Sequence, residues 1–431
     1  MMYEIVSIIT SAVLFLTIMV IFTRERLDYI SFTLLSAVIA CVIAGITFDV
    51  GFTEFITYIQ FEPLFFIICM QIIVVIMEEQ NIFRWIVLKT LHWTKADHRK
   101  FFFLICFMAS MTSAIISDIT VIIIFIPVVI QACKILKINP APYLFGLSFT
   151  INIGSIYSPF SSAENILIAN AFSINFTYFI LNFSLIVIPT LIYTLFLVDF
   201  TMLRKQKAPP ESYKKILLDI MDPNITIVNK KKFVFNSIYF VGIIIGLIII
   251  PEAYLVAVVG AVIMCLLNRK KFTEILLKTD LKVITFFIGI FLLMGTMQIN
   301  GTFIIVGDLI DNFISDNTLI AAITVLMMIS VLSGFLAQIP TALVFITLMQ
   351  NIYGIGQVPN LVIIAIILGI NIGSNFLPQG AASDLITLNL AEKNDVSDFN
   401  YKSLLKYGSM MTLIHIGVSI IYLTSYSLII S

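Results

Sequence analysis

The apolar residues of this 431-residue chain run in continuous stretches of about 18–25, the length that carries an α-helix across the hydrocarbon core of a bilayer. Hydrophobic residues make up 60% of the chain and charged residues 12%. A soluble domain holds about half and about a quarter, so this chain could not cover itself with polar groups in water. It is expected to be an all-α polytopic membrane protein. Disorder, a collagen, a disulfide scaffold and a soluble enzyme are excluded at this step. A transmembrane β-barrel is excluded because its strands alternate apolar and polar residues. The 25 basic and 25 acidic residues cancel, which gives no reason to expect nucleic acid as a partner. Cys41, Cys69, Cys106, Cys133 and Cys265 stand singly in apolar segments, with neither metal nor disulfide spacing. No basic region precedes the first apolar run, so a cleaved signal peptide is not expected.

The first spans run over about 5–22, 29–48 and 64–77. The stretch Glu78–Lys100 mixes basic residues with apolar ones at helical spacing, which suits a helix lying in the interface. Two blocks follow that are interrupted by polar residues, Phe101–Leu136 and about 143–172, then a clean span at about 176–198. Residues 201–232 are rich in Lys and carry Pro209 and Pro210. They read as a solvated linker between an N-terminal membrane repeat (1–200) and a C-terminal one (233–431). Spans resume at about 234–250, 253–267 and 283–297. An acidic interfacial stretch (Asn300–Asn317), two more interrupted blocks (about 319–349 and 361–390) and a last span at about 404–429 complete about 10–12 membrane segments.

The two halves share motifs. Ser113-Ala-Ile-Ile-Ser-Asp-Ile-Thr120 matches Ser333-Gly-Phe-Leu-Ala-Gln-Ile-Pro340 at an offset of 220, and Ile151-Asn-Ile-Gly-Ser155 recurs as Ile370-Asn-Ile-Gly-Ser374 at an offset of 219. A proline follows each copy, Pro159 and Pro378. Arg24, Arg26, the stretch Arg84–Lys100, the linker and Arg269–Lys271 would face the cytoplasm, whereas Asn300–Asn317, with Asp308, Asp311 and Asp316 and no Lys or Arg, would lie outside. The same element is thus basic in one half and acidic in the other, as two inverted-topology repeats would make it.

Phe101–Leu136 is too long for one span and polar in its middle. A re-entrant hairpin with its tip near Ser117-Asp118 fits, with a mate whose tip lies near Ala337-Gln338. Such backbone is tolerated at membrane depth only where protein or a water-filled cavity satisfies it. The Asn-Ile-Gly-Ser motifs would break the next helices: Gly154 and Gly373 permit unusual backbone geometry, and Pro159 and Pro378 remove amide donors. Each half would then hold one re-entrant hairpin and one broken transmembrane helix, whose exposed ends suit ions.

Asp118 is the first candidate site residue, because a carboxylate in an apolar block is costly unless paired, wet or protonated. It reads as a carboxylate coupling transport to protons or sodium; the alternative is a protonated structural Asp. Glu164 and Asp384 follow the prolines and are either coupling carboxylates or helix N-caps. Asn152 and Asn371 could bind substrate or a sodium ion in their loops, or satisfy the broken backbone. Asn165 aligns with Asp384. Ser117, Thr120, Ser155, Ser158, Gln338, Thr341 and Ser374 complete the candidate binding set. No metal site or catalytic constellation is recognised. His415 reads as a packed histidine.

At these motifs the chain resembles the ion transporter superfamily, in the branch of arsenite permeases (arsenical pump membrane proteins) and NhaD-type sodium–proton antiporters, with citrate and dicarboxylate carriers as relatives. The family pattern, roughly S-A-F-L-D-N-x-T and then N-I-G-G-x-x-T-P-I-G-x-x-x-N, is met at Ser113–Thr120 and Asn152–Asn165, and again at Ser333–Thr341 and Asn371–Asp384. Met221–Lys232 and Phe286–Phe291 are family-like too, and the resemblance covers about residue 60 to the end. The D-N tip stands here as Ser117-Asp118, the second tip carries no acid, and Ser155 and Ser374 replace the second Gly. The resemblance implies a secondary active transporter of the plasma membrane, not an enzyme, moving a small inorganic or organic anion or solute. It needs no cofactor beyond H+ or Na+ as coupling ion, and it allows a homodimer. Arsenite efflux leads, with a cytoplasmic ATPase subunit as partner if the chain serves an arsenite pump. A sodium-coupled dicarboxylate or citrate-type carrier, a sodium–proton antiporter and a passive channel are the alternatives.

Overall fold

A computed structural model describes residues 2–22, 27–250, 252–311 and 313–430. Arg24 and Arg26, and Asn312 of the acidic stretch, lie outside the described residues. The described residues form helices, turns and loops, with no strand among them. The first ten helices are α1 (Met2–Phe22), α2 (Tyr29–Phe48), α3 (Phe52–Ile56), α4 (Phe61–Glu79), α5 (Ile82–Trp93), α6 (His98–Ser113), α7 (Asp118–Leu136), α8 (Ala141–Ser155), α9 (Ala163–Ala171) and α10 (Phe176–Thr201). A short helix, α11 (Glu211–Ile220), stands in the linker. Ten more follow: α12 (Lys230–Ile249), α13 (Ala253–Leu267), α14 (Phe272–Leu276), α15 (Leu281–Ile299), α16 (Thr302–Asp311), α17 (Thr318–Leu336), α18 (Gln338–Tyr353), α19 (Asn360–Gly373), α20 (Ala382–Lys393) and α21 (Tyr401–Ile430).

Nine helices among the described residues are long and apolar enough to cross a membrane, and α13 and α19 are shorter apolar helices. The chain is a multi-pass, all-α membrane protein. Local chemistry sets the helix ends. Asp28, Asp97, Ser162, Asn175, Asn229, Asp280 and Asn317 each cap the helix that follows, accepting from its first free amides. Small residues set the closest packing: α2 buries Thr33, Ser36, Ala37, Ala40 and Ala44, a stripe that lets its backbone approach α15.

Cross-chain bonds define two ends. At one, Arg99 pairs with the buried Asp199, Lys270 and Lys278 hold Glu79, Lys134 reaches Asn394 and Asn139 reaches Asp398. At the other, Asn170 bonds Glu62, Tyr178 and Tyr426 bond Asn360, and Asn300 bonds Ser11. Packing between the halves is reciprocal: α7 lies on α20 and α18 on α9, while α4 lies on α13 and α15 on α2.

The linker departs from the reading of a solvated loop. Its helix α11 packs on α7, with Leu217 fully buried. The Lys137 ammonium sits over the Tyr213 ring at 4.8 Å, and His92 bonds the Met221 carbonyl at 3.0 Å. The physical reason is amphipathicity: α11 turns its charged face out and its leucine in.

Candidate functional site

Two helix pairs meet at abrupt turns near the middle of the bundle. The first is α6–α7, joined by 114–117. Ser117 at this tip is exposed and Asp118 half-buried, and Asp118 Oδ1 accepts from the Ile119 amide at 2.9 Å. The second is α17–α18, joined by Ala337 alone. Ala337 adopts φ +67°, ψ +162°, a region that costs residues other than glycine about 1–3 kcal/mol. The tip is held there by Thr341, which donates to the Ala337 carbonyl at 2.7 Å. Ala337→Gly should relieve this strain and, after glycine's own entropy cost, stabilise the protein by about 1 kcal/mol. A thermal melt of the purified protein checks it; a lower Tm would show that the backbone there is not strained.

Beside each tip lies a broken helix. The breaks are residues 156–162 between α8 and α9, and 374–381 between α19 and α20. The first begins after its Asn-Ile-Gly-Ser motif and the second at the motif's last residue, Ser374, so neither begins at the glycine, which corrects the role assigned to the glycines. Gly154 and Gly373 are helical. A Cβ on Gly154 would lie 2.3 Å from the Ser110 carbonyl oxygen, and one on Gly373 2.4 Å from that of Ser330. They are needed for close approach between α8 and α6, and between α19 and α17. Matching bonds lock these crossings: Ser113 donates to the Ile151 carbonyl and Ser333 to the Ile370 carbonyl, both at 2.9 Å.

The residues around the breaks form one buried polar network. Asn165 Nδ2 donates to the Ser155 carbonyl (2.8 Å), the Ser158 carbonyl (3.3 Å) and Ser161 Oγ (3.1 Å), which closes the first break on itself. Asn165 Oδ1 accepts from Asn371 Nδ2 at 3.0 Å, and Ser155 Oγ donates to Asn371 Oδ1 at 3.2 Å. Asn152 Nδ2 donates to Asn375 Oδ1 at 2.8 Å. Ser148 donates to Asp384. The two halves are thus joined through hydrogen bonds at their broken helices.

The carboxylates gather at the same place. Glu164 and Asp384 are 4% and 1% exposed, and Asp118 acts electrostatically on both. Neither buried acid is the N-cap residue of its helix. Ser162 caps α9 and accepts from the Asn165 amide, while the N-cap of α20, Ala381, offers no side-chain cap. None of the residues 114–118, 152–165, 337–341 and 371–384 is Lys or Arg. Three acids therefore share a site with hydroxyls, amides and helix ends but no fixed cation.

Other candidates stand apart from this network. Thr120 is half-buried on α7. Gln338 is 8% exposed and, among the described residues, makes no hydrogen bond to the cluster. Thr341 and Ser374 bond within their own turns. Pro378 is buried in the second break, and Pro159 in the first lines a cavity of about 550 Å³ with Glu62, Asn170 and Glu252. His415 is packed, as expected, with Nε2 on Thr194 at 2.9 Å. Sequence reasoning passed over Ser148 and Asn375. For Ser148 a signal existed, since it precedes Asn152 by four residues and so shares its helix face.

The family profile described as "Citrate transporter" matches residues 4–369, so the likeness takes in the first span and the first motif copy and ends just before the second Asn-Ile-Gly-Ser copy. An uncharacterised transporter of Mycobacterium tuberculosis is 21% identical over 427 residues, 96% of this chain and 97% of its own length. The 46 kDa membrane protein of Mycobacterium leprae is 21% identical over 85% of this chain and 86% of its own length. A transporter of Dictyostelium discoideum named arsB is 30% identical over 121 residues, 28% of this chain and 21% of its own length. With that match over most of its length and its broken helices meeting at the centre, this chain is a membrane transporter of the citrate transporter family.

Proposed function

We propose that the protein is a secondary active carrier of a small polycarboxylate of the citrate class, driven by protons or sodium ions. The observation that carries this reading is the burial of Glu164 and Asp384 in the first turns of α9 and α20, just after the two breaks, with α7, which Asp118 opens, packed on α20. Buried acids without a fixed cation make a site for H+ or Na+. A polyanion can join them only with enough cations to offset both charges, which makes coupling a requirement of the electrostatics. The N-terminus of α20, which has no side-chain cap, offers amides to an anion, and the family match over residues 4–369 favours a carboxylate.

Alternating access would follow from two halves inserted in opposite senses, 1–200 and 233–431, joined by 201–232. Support comes from a crossing count. In the first half α1, α2, α4, the α8–α9 pair and α10 cross, while the α6–α7 hairpin returns to its own side. Five crossings send the second half in from the opposite face. On this path every Lys and Arg of the described residues falls at the end where Arg99 meets Asp199. That end is then cytoplasmic in the plasma membrane, linker included.

A second reading, arsenite efflux, is favoured by the likeness to the transporter named arsB and by a site of hydroxyls and amides that suits a neutral hydroxylated solute. Proteoliposomes separate the two. Accumulation of labelled citrate under an imposed pH or sodium gradient is expected, and arsenite movement alone would replace the carboxylate reading. Equal flux with and without a gradient would replace the carrier with a channel.

A further inference from the structure

The two motif asparagines occupy matching places in the halves and are bonded differently. Asn371 is saturated: its Nδ2 donates to Asn165 Oδ1 (3.0 Å) and the Ile367 carbonyl (2.8 Å), and its Oδ1 accepts from Ser155 (3.2 Å). Asn152 donates once, to Asn375 Oδ1 at 2.8 Å, and the bonding stops there. Among the described residues, Asn152 Oδ1 and Asn375 Nδ2 are buried without a partner, on side chains of residues 1% and 3% exposed. Exchanging the oxygen and nitrogen of both amides preserves the pattern of one donor and one acceptor side by side. Amide pairs can close in this protein: Asn236 and Asn268, also buried, donate to each other at 3.0 and 2.8 Å.

A buried donor and acceptor left unmade are a standing cost to the fold. Such a cost persists at places where something else must bind. Ser148, Asn152 and Ser155, spaced four and three residues apart, share one face of α8, and they meet Asp384, Asn375 and Asn371 of the second half. The unpartnered amide atoms therefore lie about 6 Å along the helix from the Ser148–Asp384 bond.

Resting on the carrier reading, we infer that the Asn152–Asn375 amide pair is a contact for the transported solute. It would take a group that presents an acceptor and a donor together, as a hydroxycarboxylate or a protonated carboxyl does. Asn371 is instead a structural knot between the two breaks. A solute group held by the pair sits one helical turn from Asp384, close enough to share its proton or cation.

Two variants test this. Asn375→Asp keeps the acceptor for Asn152 Nδ2 and replaces only the unpartnered donor, so the fold is retained. In proteoliposomes its KM for labelled citrate should rise at least tenfold, while its Tm stays within about 2 °C of the wild type. An unchanged KM overturns the inference. The double variant Asn152→Leu/Asn375→Leu removes both unmade groups. If the pair serves the solute, the solute-free protein should melt at the same temperature or higher while citrate uptake is lost, since replacing both partners by apolar groups is neutral or stabilising. A Tm several degrees lower would make the pair structural and overturn the inference whatever the substrate. Wild-type vesicles that take up no citrate sink the carboxylate reading instead, and the melt still judges the pair.

Discussion

Gly373→Ala is expected to prevent stable assembly of the second half. The added methyl carbon would lie 2.4 Å from the Ser330 carbonyl oxygen and 2.5 Å from its Cα. These are backbone atoms of α17, so no side chain can swing aside. The helices must part instead, which breaks the Ser333 bond to the Ile370 carbonyl. It also displaces Asn371, which ties the two halves through Asn165. Overpacking alone costs about 1–3 kcal/mol, and the loss of a buried network adds about 1–3 kcal/mol more. Gly154→Ala should behave alike, with 2.3 Å to the Ser110 carbonyl oxygen. Both variants should show little monodisperse protein by fluorescence-detected size exclusion in detergent. A Gly417→Ala control, where a Cβ meets nothing within 4 Å, should look like the wild type. Normal yield and Tm for Gly373→Ala would mean that the α17–α19 crossing is looser than described.

The second large effect concerns the carboxylates. Asp384→Asn preserves size and an acceptor for Ser148, and Asp118→Asn preserves the tip. Each removes one site for a proton or sodium ion. Gradient-driven uptake should fall at least tenfold in either variant, with folding intact. Solute exchange without a gradient, which needs no net movement of the coupling ion, should survive better than driven uptake. Glu164→Gln serves as the comparison, because Glu164 shares the electrostatic field of Asp118. Asp118→Asn with unchanged dependence on the gradient would remove Asp118 from coupling and leave it a structural acid at the tip.

The divisions within the long apolar blocks were legible in the sequence because polar residues in mid-membrane have few places to go. An apolar run of 36 residues with Ser117 and Asp118 at its middle cannot be one span, and α6 and α7 divide there. The second tip was found through the offset, and α17 and α18 divide at Ala337. The breaks were legible from Pro159 and Pro378, but the glycines beside them were misread. A glycine in a chain of letters signals backbone freedom, whereas Gly154 and Gly373 serve contacts with helices about 40 residues away. The Ser148–Asp384 and Asn152–Asn375 bonds join residues 236 and 223 positions apart. A lone serine in an apolar helix ordinarily bonds its own backbone, so Ser148 was marked only by the helix face it shares with Asn152. The docked helix α11 was hidden by its charges, since the four charged residues among its ten outnumber the one buried Leu217 that fixes it to α7.

Opposite insertion of the halves is tested most directly by single-cysteine labelling in right-side-out vesicles. Lys95→Cys and Asp316→Cys, both at exposed positions, report on the stretches that follow α5 and α16, which are equivalents in the repeat. A membrane-impermeant maleimide added outside should label Asp316→Cys at once and Lys95→Cys only after the membrane is opened. Labelling of both from the same side would place the halves in parallel, and the carrier mechanism built on their opposition would fall.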